Sequence, residues 1–369
     1  MKSKFVSASA KDISDEAIKH YNPQITTRGA LLYSFKLSVG QVAFAADDVY
    51  TNEAIASFLN NEKVCLPFWY YASQFFVEFN ANTNIYGANI LNQELIKNAI
   101  IVFPPLYEQQ AIASYLDKRC GEIDKAIAKQ QKRIELLQEL RQNIITNAVT
   151  RGINPDASLK DSGVEWIGQV PEHWEVMMLK RCATIKTGCT PPTKELKYYE
   201  NEDIDWFTPG DIGDDNVSEA EKKISNIAKK DGVCRIFPSH IVYFVGIGAT
   251  IGKVSYCDIE ASANQQINAI IPNHRGDYRF LTYCLKSQKE EIFLTANTVT
   301  LPIINQERTG SLLIPVPPLS EQHQIVDHIE KQTVCLDKSI AKAELRIGLL
   351  QELKQSIITE VVTGKRKVC

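Results

Sequence analysis

The sequence predicts an α+β chain built as one unit written twice. Two globular domains, each a mostly antiparallel curled sheet with short helices, are separated by two long antiparallel coiled-coil helices related by a pseudo-twofold repeat. Three observations carry this reading. Residues 101–151 (IVFPPLYEQQ…IITNAVTR) recur as residues 314–364 (IPVPPLSEQH…IITEVVTG) at a constant offset of 213, with roughly half the positions identical. Both copies carry a heptad seam. Between them lie short β-like runs, Ile241 to Val245, Val254 to Cys257, Asn268 to Ile271 and Leu312 to Val316, punctuated by Gly, Pro, Asn and Asp.

The seam of the first helix follows the Pro104-Pro105 stop. It runs Leu116, Cys120, Ile123, Ile127, Gln130, Ile134, Leu137, Arg141, Ile144, Ala148 in alternating steps of four and three. Its twin is Ile329, Thr333, Leu336, Ile340, Ala343, Ile347, Leu350, Lys354, Ile357, Val361, with polar or small interruptions at the same places, where they fix register at a cost in stability. Leu136, Leu140 and Ile145, with Leu349, Leu353 and Ile358, widen the stripe, so each helix is expected to touch more than its twin. A matched pair of seams favours intramolecular antiparallel pairing over two helices packed each on its own domain. About 40 residues at 1.5 Å each make a rod roughly 60 Å long.

Upstream the repeat continues more weakly. Leu91-Asn92-Gln93-Glu94 matches Ile304-Asn305-Gln306-Glu307, and Gly40, Val42, Asn52 and Ile55 match Gly252, Val254, Asn264 and Ile267 at an offset of 212. The first copy lacks a counterpart of residues 174–213. The resulting organisation is a first domain over 1–105, incomplete at its front, a long helix over 106–150 and a turn-rich linker over 151–172 ending near Trp166 and Trp174. A second domain follows over 173–318, then a second long helix over 319–364 and a basic tail over 365–369.

The 369 residues exceed what one core usually serves, and 44% hydrophobic content with 9% aromatics excludes a disordered chain. No apolar run approaches the length of a bilayer crossing, and the start has no secretory h-region, so the expectation is a cytoplasmic protein. Nine scattered cysteines without a CxxC pair read as reduced thiols rather than bridges or a zinc site. A net charge of −3 argues against indiscriminate coating of nucleic acid, while leaving room for a specific reader with a local basic surface.

Catalytic motifs fail on inspection. The run Gly246 to Lys253 resembles a phosphate loop, but Ile247 and Val254 stand where the spacing needs glycine and a hydroxyl, and a strand follows instead of a helix. A glycine-rich hairpin is expected there. The histidines have no metal spacing and no nucleophile constellation stands out, so neither a catalytic nor a metal site is assigned.

The repeated PPLxEQ–helix–LLQELxQxIIT segment, the linker SGVEWIGQVPEHWE and IGKV followed by an Asn-Gln-Gln strand together resemble the specificity subunit of type I restriction-modification systems, HsdS, over nearly the whole chain. The resemblance implies a chain with no chemistry or cofactor of its own. It implies two domains that each read one part of a split double-stranded DNA target, and paired helices that space them and dock two methyltransferase subunits. S-adenosylmethionine would belong to the methyltransferase. ATP and magnesium would belong to restriction subunits that join through it. A non-catalytic coiled-coil scaffold and a stand-alone DNA-binding regulator are the alternatives.

Within such readers, polar and basic residues beside glycine-rich turns are the candidates for base and phosphate contact, because Asn and Gln pair bidentately with adenine while Lys and Arg serve guanine or phosphate. In the second domain these are Lys180, Arg181, Lys186, Thr187, Thr190, Thr193, Lys194, Lys253, Asn264, Gln265, Gln266, Asn297, Thr298 and Thr300. In the first they are Arg28, Lys36, Gln41, Asn82, Asn84 and Asn89. Asn264 and Gln266 have the alternative of bonding the sheet backbone, since Asn264 pairs with Asn52 in the repeat. A solvated surface position is the alternative for the others.

Overall fold

A computed structural model describes residues 3–9, 11–36, 38–83, 89–200, 203–213, 215–289, 291–292 and 303–368. Its contacts divide the chain into two compact units, Met1–Ile134 with Lys342–Cys369, and Glu135–Ala341. The architecture is α+β with two long helices, as the sequence predicts.

The central helix, Leu106–Arg151, has 46 residues and the C-terminal helix, Leu319–Val362, has 44. At 1.5 Å per residue they are about 69 and 66 Å long. Each begins at its Pro-Pro pair. Pro105 O accepts the amides of Glu108 and Gln109 at 2.9 and 3.0 Å, and Pro318 O accepts those of Glu321 and Gln322 at the same distances. Each ends at a left-handed glycine, Gly152 (φ +75°) and Gly364 (φ +74°), a conformation that other residues adopt only with strain.

Within the first unit the early half of the central helix packs on the late half of its partner. Leu116, Cys120 and Ile123 share a core with Ile357, Ile358 and Val361. In the second unit the halves are reversed, with Ile145, Ala148 and Val149 against Ile325, Val326 and Ile329. The pairing is therefore antiparallel. Every predicted seam residue is buried or half-buried, and the expected widening holds for Ile145 and Ile358. Leu136, Leu140, Leu349 and Leu353 are instead exposed.

The sheet of the first unit comprises β1 (Phe5–Val6), β2 (Leu31–Ser34), β3 (Val42–Ala45) and β4 (Ile55–Phe58) in the order β1-β3-β2-β4, followed by α1 (Leu66–Phe79). In the second unit, β5 (Glu175–Met178) precedes the main-sheet strands β6 (Ala183–Thr187), β7 (Asn216–Val217), β8 (Ile241–Val245), β9 (Val254–Cys257) and β10 (Ile267–Pro272). Then come α2 (Tyr278–Ser287) and β11 (Leu313–Val316), which pairs with β5. The main-sheet order is β6-β10-β8-β9-β7.

The two sheets are the same object with one strand of difference. β1 runs parallel to β3 with Phe5 opposite Phe44, as β7 runs parallel to β9 with Asn216 opposite Tyr256. Leu31 stands opposite Phe44 and Phe58, as Val242 stands opposite Tyr256 and Ile270. Among the described residues, only the second sheet has a fifth strand, β6, against β10.

β8 reads IVYFV, without alternation, because both faces are covered. Val242 and Phe244 join the helix-side core, while Tyr243 and Val245 join a second core with Phe207, Phe237 and Ala263. That second core is capped by a small sheet of Lys223–Ile224, Ile204–Phe207, Ala261–Ala263 and Ile236–Phe237. The turn-rich stretch expected as a linker carries its own hairpin, Leu159–Asp161 with Gln169–Pro171, and Trp174 is fully buried beyond it. No disulfide forms among the described residues, and Cys335 alone of the described cysteines is exposed.

Candidate nucleic-acid interface

The KTGCTPP loop after β6 and the NQQ turn before β10 are built against each other. A Cβ on Gly188 would collide with the backbone of Ala263 and Asn264, so only glycine lets the loop approach this closely. Gly188 donates its amide to Ile267 O at 2.9 Å and Cys189 to Ala263 O at 2.8 Å. Trp206 Nε1 reaches Cys189 O at 3.0 Å, and the Tyr199 hydroxyl donates to Pro191 O at 2.6 Å. The loop is held on several sides, and it carries Thr190, whose hydroxyl donates to Gln265 Oε1.

The turn itself is set by Asn264. Its Oδ1 accepts the Gln266 amide at 3.0 Å and its Nδ2 donates to Gln266 Oε1 at 3.1 Å, with Asn264 buried. The first unit repeats the device, with Asn52 Oδ1 accepting the Ala54 amide at 3.1 Å. Asn264 is thus engaged in shaping the turn that leaves Gln265 exposed. Thr187 is engaged too. Its hydroxyl donates to Asn268 Oδ1 at 2.8 Å, and Asn268 Nδ2 donates to Thr309 Oγ1 at 2.9 Å and Ile304 O at 3.3 Å.

β6 alternates, with Ala183 and Ile185 buried and Thr184 and Lys186 exposed. Thr190, Gln265 and Gln266 therefore gather at the far end of β6, with exposed Thr193 and Lys194 following on the loop. Exposed Lys180 and Arg181 sit before its start, about one strand length away. Lys253 is half-buried in the hairpin between β8 and β9, its ammonium beside Gly213. The loop Gly246 to Lys253 is the expected hairpin. A Cβ on Gly246 would come within 2.6 Å of Ile304 O.

Arg235 belongs to this cluster and sequence reasoning missed it. It is exposed, its Nη1 donates to Thr187 O at 2.5 Å, and its amide meets Cys189 Sγ at 2.8 Å. It sits in GVCRIF with no local cue beyond its charge. Burial pushes the neighbouring Cys234 thiol up to about 11, and that of Cys257 likewise, so both stay protonated and non-nucleophilic near neutrality. Among the described residues no cluster of His, Cys, Asp and Glu could hold a metal.

In the first unit the candidates are not gathered. Lys36 and Gln41 flank the β2–β3 turn, whereas Arg28 precedes the opposite end of β2, beside a cavity of about 630 Å³ that Lys4, Asn60 and Asn61 also line. Lys36 lies 3.8 Å from Glu53, and Asn82 is exposed in a two-residue strand. Asn84, Asn297, Thr298 and Thr300 fall outside the described residues, as does the side chain of Asn89.

In the second unit, Asp215 accepts from Lys286 Nζ and from Arg141 Nη2, both at 2.5 Å, and Arg141 Nε donates to Asp337 Oδ1 at 2.9 Å. Burial alone would raise the Asp215 carboxyl, but the two cations outweigh it and hold it below its ordinary value. This network ties the main sheet of the second unit to both helices.

The family model of the type I restriction modification DNA specificity domain matches residues 2–138 and 171–344. The specificity subunit of type I restriction enzyme MjaIX from Methanocaldococcus jannaschii is 21% identical over 99% of this chain and 84% of its own length. The specificity subunit of the putative type I restriction enzyme MjaX from the same organism is 25% identical over 75% of this chain, and the match spans 62% of that protein. A solved chain described under complex assembly and conformational transition of the type I R-M system superposes with a TM-score of 0.69 at 17% identity. It covers 92% of this chain and 83% of that one. No helix among the described residues is long and apolar enough to cross a membrane.

Proposed function

Since the chain belongs to the type I restriction modification DNA specificity family, matched over residues 2–138 and 171–344, we propose that it selects the DNA target of a restriction-modification complex and performs no chemistry itself. The observation that carries the reading is the Gln265–Thr190–Arg235 edge. An exposed amide and an exposed guanidinium are presented by loops whose glycine and asparagine leave them little freedom. Carboxamide and guanidinium groups are the side chains that read base edges bidentately. Lys186 and Lys194 beside them serve phosphate, which positions the protein without specifying sequence.

Two unlike readers on one chain make the target two short words separated by unread bases. The exposed Leu136 and Leu140, with their repeat twins Leu349 and Leu353, give two like apolar faces on the helices. Each docks one methyltransferase subunit, which brings S-adenosylmethionine, and restriction subunits with ATP and magnesium join through those. The test is reconstitution with the methyltransferase and a library of DNA targets. Gln265→Ala costs about 1–3 kcal/mol at one base position, whereas Lys194→Ala weakens all sequences alike. Equal losses on every sequence for both variants overturn the reading.

A further inference from the structure

The hydrogen bonds around Arg235 form a directed chain that leads into the core. Arg235 Nη1 donates to Thr187 O at 2.5 Å, the Thr187 hydroxyl donates to Asn268 Oδ1 at 2.8 Å, and Asn268 Nδ2 donates to Thr309 Oγ1 at 2.9 Å and to Ile304 O at 3.3 Å. The Thr309 hydroxyl donates in turn to Asn305 O at 2.9 Å. Both hydrogens and the oxygen of the Asn268 carboxamide are used, which fixes the way it faces.

A carboxamide is an unfavourable choice for this place in the sheet. Asn268 stands on β10 opposite Phe244 of β8, is 3% exposed, and shares its face with Val242, Phe244 and Ile270 of the helix-side core. Such a group is tolerated there only when fully bonded. The strand does not need it. At the equivalent place in the first unit, β4 has Ala56 opposite Tyr33, with Ile55 matching Ile267. The bonds of Asn268 therefore serve something besides the sheet, and what they meet at the candidate edge is the end of β6 that seats Arg235.

That seat leaves the guanidinium poised. Nη1 is engaged by Thr187 O, whereas Nε and Nη2, the two parallel donors on the other side of the fork, meet no acceptor among the described residues, and Arg235 is exposed. Its main chain is fixed as well, with the amide on Cys189 Sγ and the carbonyl accepting the Ser262 hydroxyl, both at 2.8 Å. Two parallel N–H groups match the O6 and N7 acceptors of guanine in the major groove.

We propose that Arg235 reads a guanine in the DNA word met by the second unit, and that Asn268 is its positioning residue, acting through Thr187 to aim the guanidinium. This rests on the DNA-reading function above and adds to it which base is chosen and which buried residue sets the choice. Without the Asn268 amide the end of β6 is free to shift. A displaced guanidinium keeps its charge, and with it an attraction for phosphate, but loses the fork geometry that discriminates.

The test uses the full chain reconstituted with the methyltransferase and duplexes that vary one base at a time. The parent prefers guanine at one position, and Arg235→Ala removes that preference. Asn268→Ala weakens binding to the preferred duplex by about tenfold. In the Arg235→Ala background it weakens binding little further, the non-additivity of a residue that acts through another. Because Asn268→Ala opens a core position, Thr187→Val is the second variant; it removes a hydroxyl at nearly constant shape and moves the preference the same way. Gln322→Ala, which unpairs buried groups at the start of the C-terminal helix, lowers stability and leaves the preference intact. An undiminished preference in both Asn268→Ala and Thr187→Val overturns the proposal, as does an equal loss with and without Arg235, or a base other than guanine at the position that Arg235 governs. A parent that prefers no base at any position overturns the underlying reading itself, and the proposal with it.

Discussion

Arg141 of the central helix and Asp337 of the C-terminal helix form an ion pair at 2.9 Å, and each has a repeat twin, Lys354 and Asp124, that form the same pair at 2.7 Å with the helices exchanged. Positions 141 and 354, and 124 and 337, are each 213 apart. A cation in one helix meets an anion in the other twice because the repeat makes each helix the other's antiparallel partner. The seam interruptions at Arg141 and Lys354 thereby fix register, since a slip of one turn would break both pairs.

The two pairs differ in weight. Lys354 and Asp124 are 31% and 56% exposed, so Lys354→Met costs roughly 0–1 kcal/mol by denaturant titration. Arg141 is 21% exposed and also holds Asp215, so Arg141→Met leaves a half-buried carboxylate with one partner fewer and costs about 1–3 kcal/mol. Equal costs for both variants contradict the network.

Asp215 gives a pH signature. Its carboxyl is held below the ordinary value near 3.9, so the stability it contributes is present above that value and is lost as pH falls through the lower folded value. Asp215→Asn lowers stability at neutral pH, and the gap to the parent narrows as pH drops from about 5 toward 2. Thermal unfolding of both proteins across that window checks it; a constant gap is the contrary result.

The glutamine of each PPLxEQ motif clamps a helix start. Gln322 accepts the Asp277 amide at 2.8 Å and donates to Arg275 O and Pro317 O, and Gln109 accepts the Cys65 amide at 2.8 Å and donates to Lys63 O and Pro104 O. Both are fully buried. Gln322→Ala leaves backbone groups without partners and costs about 1–3 kcal/mol for each one. Gln109→Ala behaves alike, and equilibrium unfolding measures both.

Seam and outer face separate stability from the proposed docking. Ile329 is fully buried, and Ile329→Ala costs about 2–5 kcal/mol. Leu349 is 57% exposed, and Leu349→Ala changes stability by less than about 0.5 kcal/mol while weakening capture of the methyltransferase. Co-purification beside calorimetry distinguishes them.

The long helices were legible because a heptad repeated twice leaves little choice of period, and strands such as Ile241–Val245 because apolar runs end at turn residues. The partners of the interruptions were not. Which carboxylate meets Arg141 depends on the antiparallel register, which no local pattern encodes. Arg235 escaped notice because strand pairing beside Ala261–Ala263 brings it to the KTGCTPP loop from 46 residues beyond Cys189. For Asn264 the backbone-bonding alternative was legible from its pairing with Asn52 in the repeat, and its bonds lie within the turn. The hairpin inside the linker was hidden by turn-rich composition that also suits a tight β-ribbon.

The central claim is that this chain chooses which DNA sequence a partner enzyme modifies. Sequencing of methylated adenines in cells with and without the gene tests it most directly. The account predicts a single two-part motif of fixed gap that loses methylation when the gene is deleted and changes at one base when Gln265 is replaced by alanine. Methylation unchanged in every motif upon deletion would contradict it.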